Sequence, residues 1–198
     1  MIKPVLMFLG MLVSLGLVDS TAMAYSSYSS SGSDGGGWNF DWSLMKDDHG
    51  TSYTGQSVTQ TEISHYLTKL GYQWSNGIYL GALYESSSLY YNAVGTPSPE
   101  MRISYGPSIG YFYSGFFGLA TYFTNTTCTL PGGNSYSGGS AYMVTLGYEY
   151  AVTSMFHVGL SYNYDSFTWN QFTSGVTTTT VTNSQADTYP SVLIGFNF

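Results

Sequence analysis

The chain has 198 residues, of which only 8% are charged and 18% are aromatic, and it contains 20 tyrosines. This composition fits poorly with an ordinary soluble domain. The formal net charge is −7, and Lys46, Lys69 and Arg102 are the only Lys or Arg residues after Lys3, so the sequence has no basic patch for a phosphate backbone and argues against nucleic acid as a partner.

Residues 1–24 have the pattern of a secretory signal peptide. Lys3 precedes an apolar run at 5–18, and small residues surround a cleavage position after Ala24. The run is shorter than the about 20 apolar residues that a membrane-spanning helix needs. We therefore expect export of the chain, with an uncleaved N-terminal anchor as the alternative. Residues 25–37, rich in serine and glycine, are expected to form a flexible segment.

Bulky apolar and small polar residues alternate along most of the remaining chain. In the segment 101–113, Ile103 and Tyr105 fall on one face and Ser104 on the other, and the same pattern recurs at 142–150 and 156–165. A soluble sheet would carry long charged side chains on its polar face. Here that face holds mainly Gly, Ser, Thr and Asn, which is typical of the inside of a transmembrane β-barrel.

The alternation predicts eight antiparallel strands, at 38–45, 59–74, 78–91, 101–113, 116–126, 139–150, 155–168 and 186–198. All but the first reach the roughly 9–11 residues that a tilted membrane strand needs. Because backbone groups in a bilayer must all be paired, the strands have to close on themselves. We therefore predict an all-β fold over residues 38–198, an eight-stranded antiparallel up-and-down transmembrane β-barrel.

The connections fall into two groups by length. Short turns are predicted at 75–77, 114–115 and 151–154, and these are expected at the periplasmic end. Longer polar connections are predicted at 46–56, 92–100, 125–139 and 170–185, and these are expected outside the cell. The single cysteine, Cys128, falls in the third long connection, where we expect a loop thiol, with an intermolecular disulfide as the alternative.

The segments LGYEYAVTSMFHVGLSYNYDSF, at 146–167, and VLIGFNF, at 192–198, resemble those of small bacterial outer-membrane barrels of the opacity-protein and OmpA-like kind. The resemblance implies an integral protein of the bacterial outer membrane, in contact with membrane lipid and lipopolysaccharide. It also implies a terminal signal that the barrel assembly machinery recognises, formed by Val192, Ile194, Phe196 and Phe198. That family includes structural, adhesive and porin-like members, so the resemblance leaves the activity open.

Ionisable groups at membrane depth are rare and usually paired, so those on the predicted inward face are the candidate functional residues. Strand positions predict three pairs: Glu85 with Arg102, Glu149 with His157, and Asp41 with Lys69. These groups either line a gated polar path or fill a plugged, hydrogen-bonded interior. An eight-stranded barrel has room for side chains and little else, which favours the plugged interior.

No pattern in the sequence predicts catalysis, a cofactor or a metal centre. The Asp47-Asp48-His49 run makes a poor metal cage, and His65 follows Ser64 without a carboxylate at the same predicted height. We therefore expect a non-enzymatic structural or surface-interaction role through the extracellular loops, whose ligand the sequence does not identify. A narrow porin-like conduit for small solutes or ions is the alternative, and a lipid-modifying enzyme is less favoured.

Overall fold

The computed structural model describes residues 36–48, 61–91 and 100–198. These residues form ten strands: β1 Gly37–Asp48, β2 Thr61–Gln73, β3 Ile78–Tyr91, β4 Glu100–Tyr113, β5 Phe116–Phe123, β6 Asn125–Thr129, β7 Ser135–Ser137, β8 Ser140–Ala151, β9 Phe156–Ser174 and β10 Thr177–Asn197. None of the described segments is a helix long and apolar enough to cross a membrane. Residues 1–35, which include the predicted signal peptide and most of the Ser/Gly segment, lie outside the described residues.

The ten strands form a closed antiparallel ring of eight. β5 and β6 follow one another and both pair with β4, while β7 and β8 follow one another and both pair with β9. The ring closes between β1 and β10, with Asn39 opposite Asn197 and Leu44 opposite Val192. Trp38 and Phe198 extend this seam by exchanging two backbone hydrogen bonds, of 3.1 and 3.0 Å. The predicted eight-stranded up-and-down barrel is therefore confirmed.

The two ends of the barrel differ. At one, here called the turn end, β1 begins, β10 ends, and short turns join β2 to β3, β4 to β5 and β8 to β9. The tightest of these turns is Ser114-Gly115, where both residues have positive φ, 51° and 84°, as a two-residue hairpin requires. At the opposite end, the loop end, β6 connects to β7 and β9 to β10.

At the loop end, more residues belong to paired β-strands than the sequence predicts. Most of the predicted connections at 125–139 and 170–185 are strand, because β6 pairs with β7 and the long strands β9 and β10 continue to a turn at Gly175-Val176. The predicted loop at 46–56 likewise begins inside β1, which runs to Asp48. The serine and threonine content predicted loops here, but β-branched threonine also suits an extended backbone.

The large outward side chains are apolar and aromatic. Along β4, exposed residues such as Ile103, Tyr105 and Ile109 alternate with buried Ser104 and Ser108. The same alternation holds along β8 and most of β9. The faces are therefore those that the sequence predicts, with the bulky side chains pointing away from the interior.

The interior also contains apolar groups that fill its cross-section. One cluster, with Tyr79, Phe112, Phe117, Leu119 and Leu193, lies towards the turn end. The other lies towards the loop end and includes Met45, Leu67, Leu83, Phe123, Met143, Phe167, Trp169 and Tyr189. Glycine makes room for these rings, since a Cβ on Gly147 would lie 2.3 Å from the Phe117 ring. The sequence pattern indicated an interior lined mainly by small polar groups. The structure shows that large apolar side chains fill the interior as well.

Candidate functional site: the charged interior

Arg102 is the centre of a buried charge network towards the loop end. Its Nη2 donates to Glu85 Oε1 at 2.9 Å and to Asp165 Oδ2 at 3.0 Å, and its Nη1 donates to Asp187 Oδ2 at 2.8 Å. The guanidinium carbon lies 3.8 Å from the centre of the Phe167 ring, so the cation also has an aromatic face against it. One cation thus joins three strands, β3, β9 and β10, to β4.

His65 extends the same network across β2. Its Nδ1 lies 3.2 Å from Glu85 Oε1, and its ring stacks on Tyr189 with 3.7 Å between the ring centres. We call Arg102, Glu85, Asp165, Asp187 and His65 the loop-end network. All but the partly exposed Asp187 are fully buried, so the side chains of this network interact with one another and are largely shielded from water.

A second buried network lies towards the turn end and is built around Asp41. One carboxylate oxygen of Asp41, Oδ2, forms an ion pair with Lys69, and the other, Oδ1, lies 2.6 Å from His157 Nε2. Glu149 Oε2 lies 3.6 Å from the same His157 nitrogen. We call Asp41, Lys69, Glu149 and His157 the turn-end network.

Both cations are held by more than carboxylates. The Lys69 ammonium faces the rings of Tyr79, Phe112 and Phe117 at 5.2, 4.9 and 5.1 Å from their centres. These are cation–π distances, and they place the ammonium between its carboxylate partner and the turn-end aromatic cluster.

Hydroxyl and amide groups lie between the two networks on β8, β9 and β10. Thr145 Oγ1 donates to Asn163 Oδ1 at 2.9 Å, Asn163 Nδ2 donates to Ser191 Oγ at 3.0 Å, and the Ser161 and Ser191 hydroxyls are 2.6 Å apart. On the other side of the interior, Ser108 is hydrogen-bonded to Thr121 and Ser104 to Thr126. The polar groups therefore bond to one another across strands.

The six charged candidates from the sequence all lie inside the barrel, and the three expected pairs all form contacts. The structure adds that Asp41 joins two of these pairs into one network through His157. Sequence reasoning assigned no partner to Asp165 or Asp187. Strand alternation was the available signal, because it places Asp187 on the same inward face as Tyr189 and Ser191.

Two further expectations can be compared with the structure. Cys128 is not a loop thiol: it lies in β6, is buried, and its Sγ donates to Glu100 Oε1 at 3.0 Å. His49 lies outside the described residues, as does the region around it at 49–60. The four residues of the expected assembly signal are all exposed on the outward face at the turn end: Val192, Ile194, Phe196 and Phe198.

Comparison with protein-family models finds no match, and comparison with curated protein sequences finds none. Among solved structures, the chain is similar to the outer membrane protein AlkL, determined by solid-state NMR in DMPC lipid bilayers, with a TM-score of 0.51 and 14% identity over 85% of this chain and 93% of that one. The matches also include Neisserial surface protein A, with a TM-score of 0.46 and 15% identity over 84% of this chain and 98% of that one. The fold is that of small eight-stranded outer-membrane barrels.

Proposed function

We propose that the protein is an integral β-barrel of the bacterial outer membrane with a structural or surface-interaction role. The observation that carries the proposal is the outward face, where large side chains such as Ile109, Tyr122 and Leu146 are more than half exposed. Water would penalise such a continuous apolar surface, whereas the hydrocarbon of a bilayer would not. The charged groups lie on the opposite, enclosed face, where ion pairs and hydrogen bonds compensate them.

The filled interior supports a scaffold in preference to a conduit. Side chains of two aromatic clusters and two charge networks occupy the cross-section, and Arg102 links carboxylates from three strands across it. A rigid barrel of this kind would hold the hairpins β6–β7 and β9–β10 above the membrane. We propose these hairpins as the contact surface for an extracellular ligand.

Orientation and assembly are part of the same proposal. Short turns face the periplasm in barrels of this kind, which would place the turn end inside and the loop end outside. Export would depend on residues 1–24, and insertion on recognition of the exposed apolar side chains of β10 by the barrel assembly machinery. The lipid contacts would be made by outer-membrane lipid and lipopolysaccharide.

Membrane residence is tested by purification with and without detergent. We expect the protein to require detergent or lipid and to run faster on a gel before heating than after, as compact barrels do. A monodisperse monomer in plain buffer, with its aromatic residues protected from solvent, would overturn the proposal.

Planar-bilayer recordings test the scaffold against the conduit. We expect no stable single-channel steps from the inserted wild-type barrel. Reproducible steps that change in size when Glu85 or Arg102 is substituted would instead support a narrow conduit for small solutes or ions.

A further inference from the structure

The turn-end network brings one imidazole nitrogen and two carboxylate oxygens to a single point inside the barrel. We propose that His157 Nε2, Asp41 Oδ1 and Glu149 Oε2 form a binding site for one divalent transition-metal ion of the Zn²⁺ class. A mixed imidazole and carboxylate set suits Zn²⁺ better than it suits Mg²⁺ or Ca²⁺, which favour oxygen ligands. The site goes beyond the scaffold role proposed above and does not depend on it.

The three ligand atoms are already close enough for one ion. Each of the three residues offers a ligand atom within 4.8 Å of the other two, and His157 Nε2 lies 2.6 Å from Asp41 Oδ1 and 3.6 Å from Glu149 Oε2. Ligands of a tetrahedral zinc ion, at about 2.0–2.2 Å from the metal, are about 3.3 Å from one another. Small side-chain rotations, which open the shorter contact and tighten the longer one, would therefore produce a coordinating arrangement.

In the part of the chain that the structure describes, Glu149 is one of several buried groups with a polar atom that lacks a hydrogen-bond partner. It is buried, yet its Oε2 has no hydrogen-bond donor among the described residues, and it points to the His157 nitrogen from beyond hydrogen-bond distance. A buried carboxylate oxygen without a partner is costly. A metal ion between this oxygen and the imidazole would supply the missing interaction.

The groups behind His157 suit a metal ligand. Its second nitrogen, Nδ1, lies 2.9 Å from the Asn197 amide, which in turn contacts Asn39 at 3.0 Å. Turning both amides exchanges their oxygen and nitrogen atoms, so that His157 Nδ1–H donates to Asn197 Oδ1 and Asn197 Nδ2 donates to Asn39 Oδ1. Asn39 Oδ1 would then accept from Asn197, while Asn39 Nδ2 would take the position at which Oδ1 has no partner among the described residues. This state leaves the Nε2 lone pair free for a metal.

Gly195 leaves the space in which the ligands meet. A Cβ on this residue would lie 2.0 Å from both Asp41 Oδ1 and His157 Nε2. Any side chain at this position would therefore push the two ligand atoms apart, and glycine is needed for their convergence.

Local charge also favours a cation. Asp41 and Glu149 bring two carboxyl groups, and Lys69, bonded to the other oxygen of Asp41, brings one ammonium, so the network holds more carboxyl groups than resident cations. The Lys69 contact leaves Asp41 Oδ1 on the side of His157. The ammonium thus orients the carboxylate without occupying the proposed ligand atom.

A second group with similar composition provides a control. His65, Glu85 and Asp165 also place ligand atoms within 4.8 Å of one another. There, however, Arg102 Nη2 donates to both carboxylates, at 2.9 and 3.0 Å, so the guanidinium already occupies the position of a cation. We therefore assign the ion to the turn-end network and use His65 as the matched control residue.

The test titrates Zn²⁺ alone into the folded barrel, purified in detergent without a histidine tag, with heat release as the measurement. We expect one equivalent to bind to the wild type. Glu149→Gln, which keeps the side-chain shape, His157→Ala and Gly195→Ala should each weaken binding by about tenfold or more, since changes behind metal ligands already cost about 10–100-fold. His65→Ala should leave the affinity within about twofold of the wild type, because it removes no proposed ligand.

X-ray absorption of the zinc-loaded wild type gives a second measurement that needs no variant. We expect a first shell with one imidazole and otherwise oxygen atoms. The proposal is overturned if the folded wild type binds no zinc, if His157→Ala and Glu149→Gln bind it as the wild type does, or if the spectrum shows no imidazole or several. Should a variant fail to fold, as judged by its gel mobility before heating, the spectrum of the wild type decides.

Discussion

The Arg102 guanidinium is enclosed by three carboxylates. Its contribution to stability is best judged by the carboxylates that would lose their cation if it were removed. Arg102, Glu85 and Asp165 are all fully buried. Replacing a whole buried ion pair by apolar groups is often neutral, whereas removing one partner leaves a buried charge without compensation. The stability of the barrel should therefore depend more on the balance of charges around Arg102 than on the number of contacts that Arg102 makes.

We expect Arg102→Met to lower the free energy of unfolding by about 3–5 kcal/mol, because three carboxylates lose their cation. Urea unfolding of the barrel in lipid vesicles measures this change. Adding Glu85→Gln and Asp165→Asn to the variant should restore part of the loss, since these changes remove the uncompensated charges. Lys46→Met, at an exposed position, is the control; an equal loss in both single variants would contradict the argument.

On the outward face, the depth of a side chain in the bilayer determines how much a charged substitution destabilises the barrel. Leu146 lies in the middle of β8 and is 62% exposed. We expect Leu146→Arg to destabilise the inserted barrel by about 2–4 kcal/mol, because the charge would enter hydrocarbon. Gel mobility before heating and urea unfolding in vesicles report the change. Val176→Arg, at the fully exposed tip of the β9–β10 hairpin, should have little effect, and similar behaviour of the two variants would count against a lipid-facing Leu146.

At the residue scale, alternation alone predicts which side chains of a strand face inward. Alternation along a strand is local, so the inward positions of Glu85, Arg102 and His157 followed from counting. The joining of Asp41 to His157 did not follow, because these residues are 116 positions apart and meet only through the closure of β1 on β10. Strand registers, which determine such contacts, are not readable from a single strand.

Among the described strands, β9 and β10 are the longest. The two strands are 19 and 21 residues long, and β7 pairs with β9 only up to Thr173. The residues near the tip of the β9–β10 hairpin, including Ser174, Val176 and Thr178, are exposed and belong to neither interior cluster. The tip therefore belongs to the surface and not to the folded core.

Shortening this hairpin should leave the barrel stable. Removing the facing pair Ser174 and Thr177 keeps the register of the remaining pairs, leaves Thr173 paired with β7 and retains the turn at Gly175-Val176. We expect the free energy of unfolding in vesicles to change by no more than about 0.5 kcal/mol, as for surface changes in general. A large loss of stability or of inserted protein would show that the tip is part of the fold, and any lost surface binding would identify it as a contact.

The whole barrel depends on one seam, where the first and last strands meet. Backbone bonds between Trp38 and Phe198 form its outermost pair, while the Phe198 ring is 65% exposed and contributes little packing. We therefore expect the backbone and the side chain of Phe198 to have different roles, the first in stability and the second in assembly. The backbone would close the barrel, and the ring would serve recognition during insertion.

We expect Phe198→Ala to reduce the amount of barrel in outer membranes of cells but to change the unfolding free energy of refolded protein by less than about 1 kcal/mol. Quantitative blots of membrane fractions and urea unfolding in vesicles measure the two effects. Tyr150→Ala removes another exposed aromatic side chain near the turn end and should leave cellular levels unchanged. Equal cellular levels of Phe198→Ala and the wild type would remove the support for an assembly signal.

The architecture as a whole was predictable because the inverted alternation, repeated along the chain, permits few arrangements. The strand ends at the loop end were not, since threonine-rich segments suit both loops and strands and the decision rests on pairing with a partner. The apolar filling of the interior was also missed. The Tyr79 and Phe117 rings fit at inward positions because Gly71 and Gly147 on neighbouring strands leave room for them, which a count of small residues does not show.

The charge networks join residues that are far apart along the chain: Arg102 bonds to Asp187, and Asp41 to His157. A partial chain that lacks β9 and β10 would have Arg102 without Asp165 and Asp187, and Asp41 without His157. Ionisable groups that lack part of their hydrogen-bond partners in this way are costly in hydrocarbon. Truncated products of interrupted synthesis would therefore be poor substrates for membrane entry, and the interior would act as an intrinsic check that synthesis is complete.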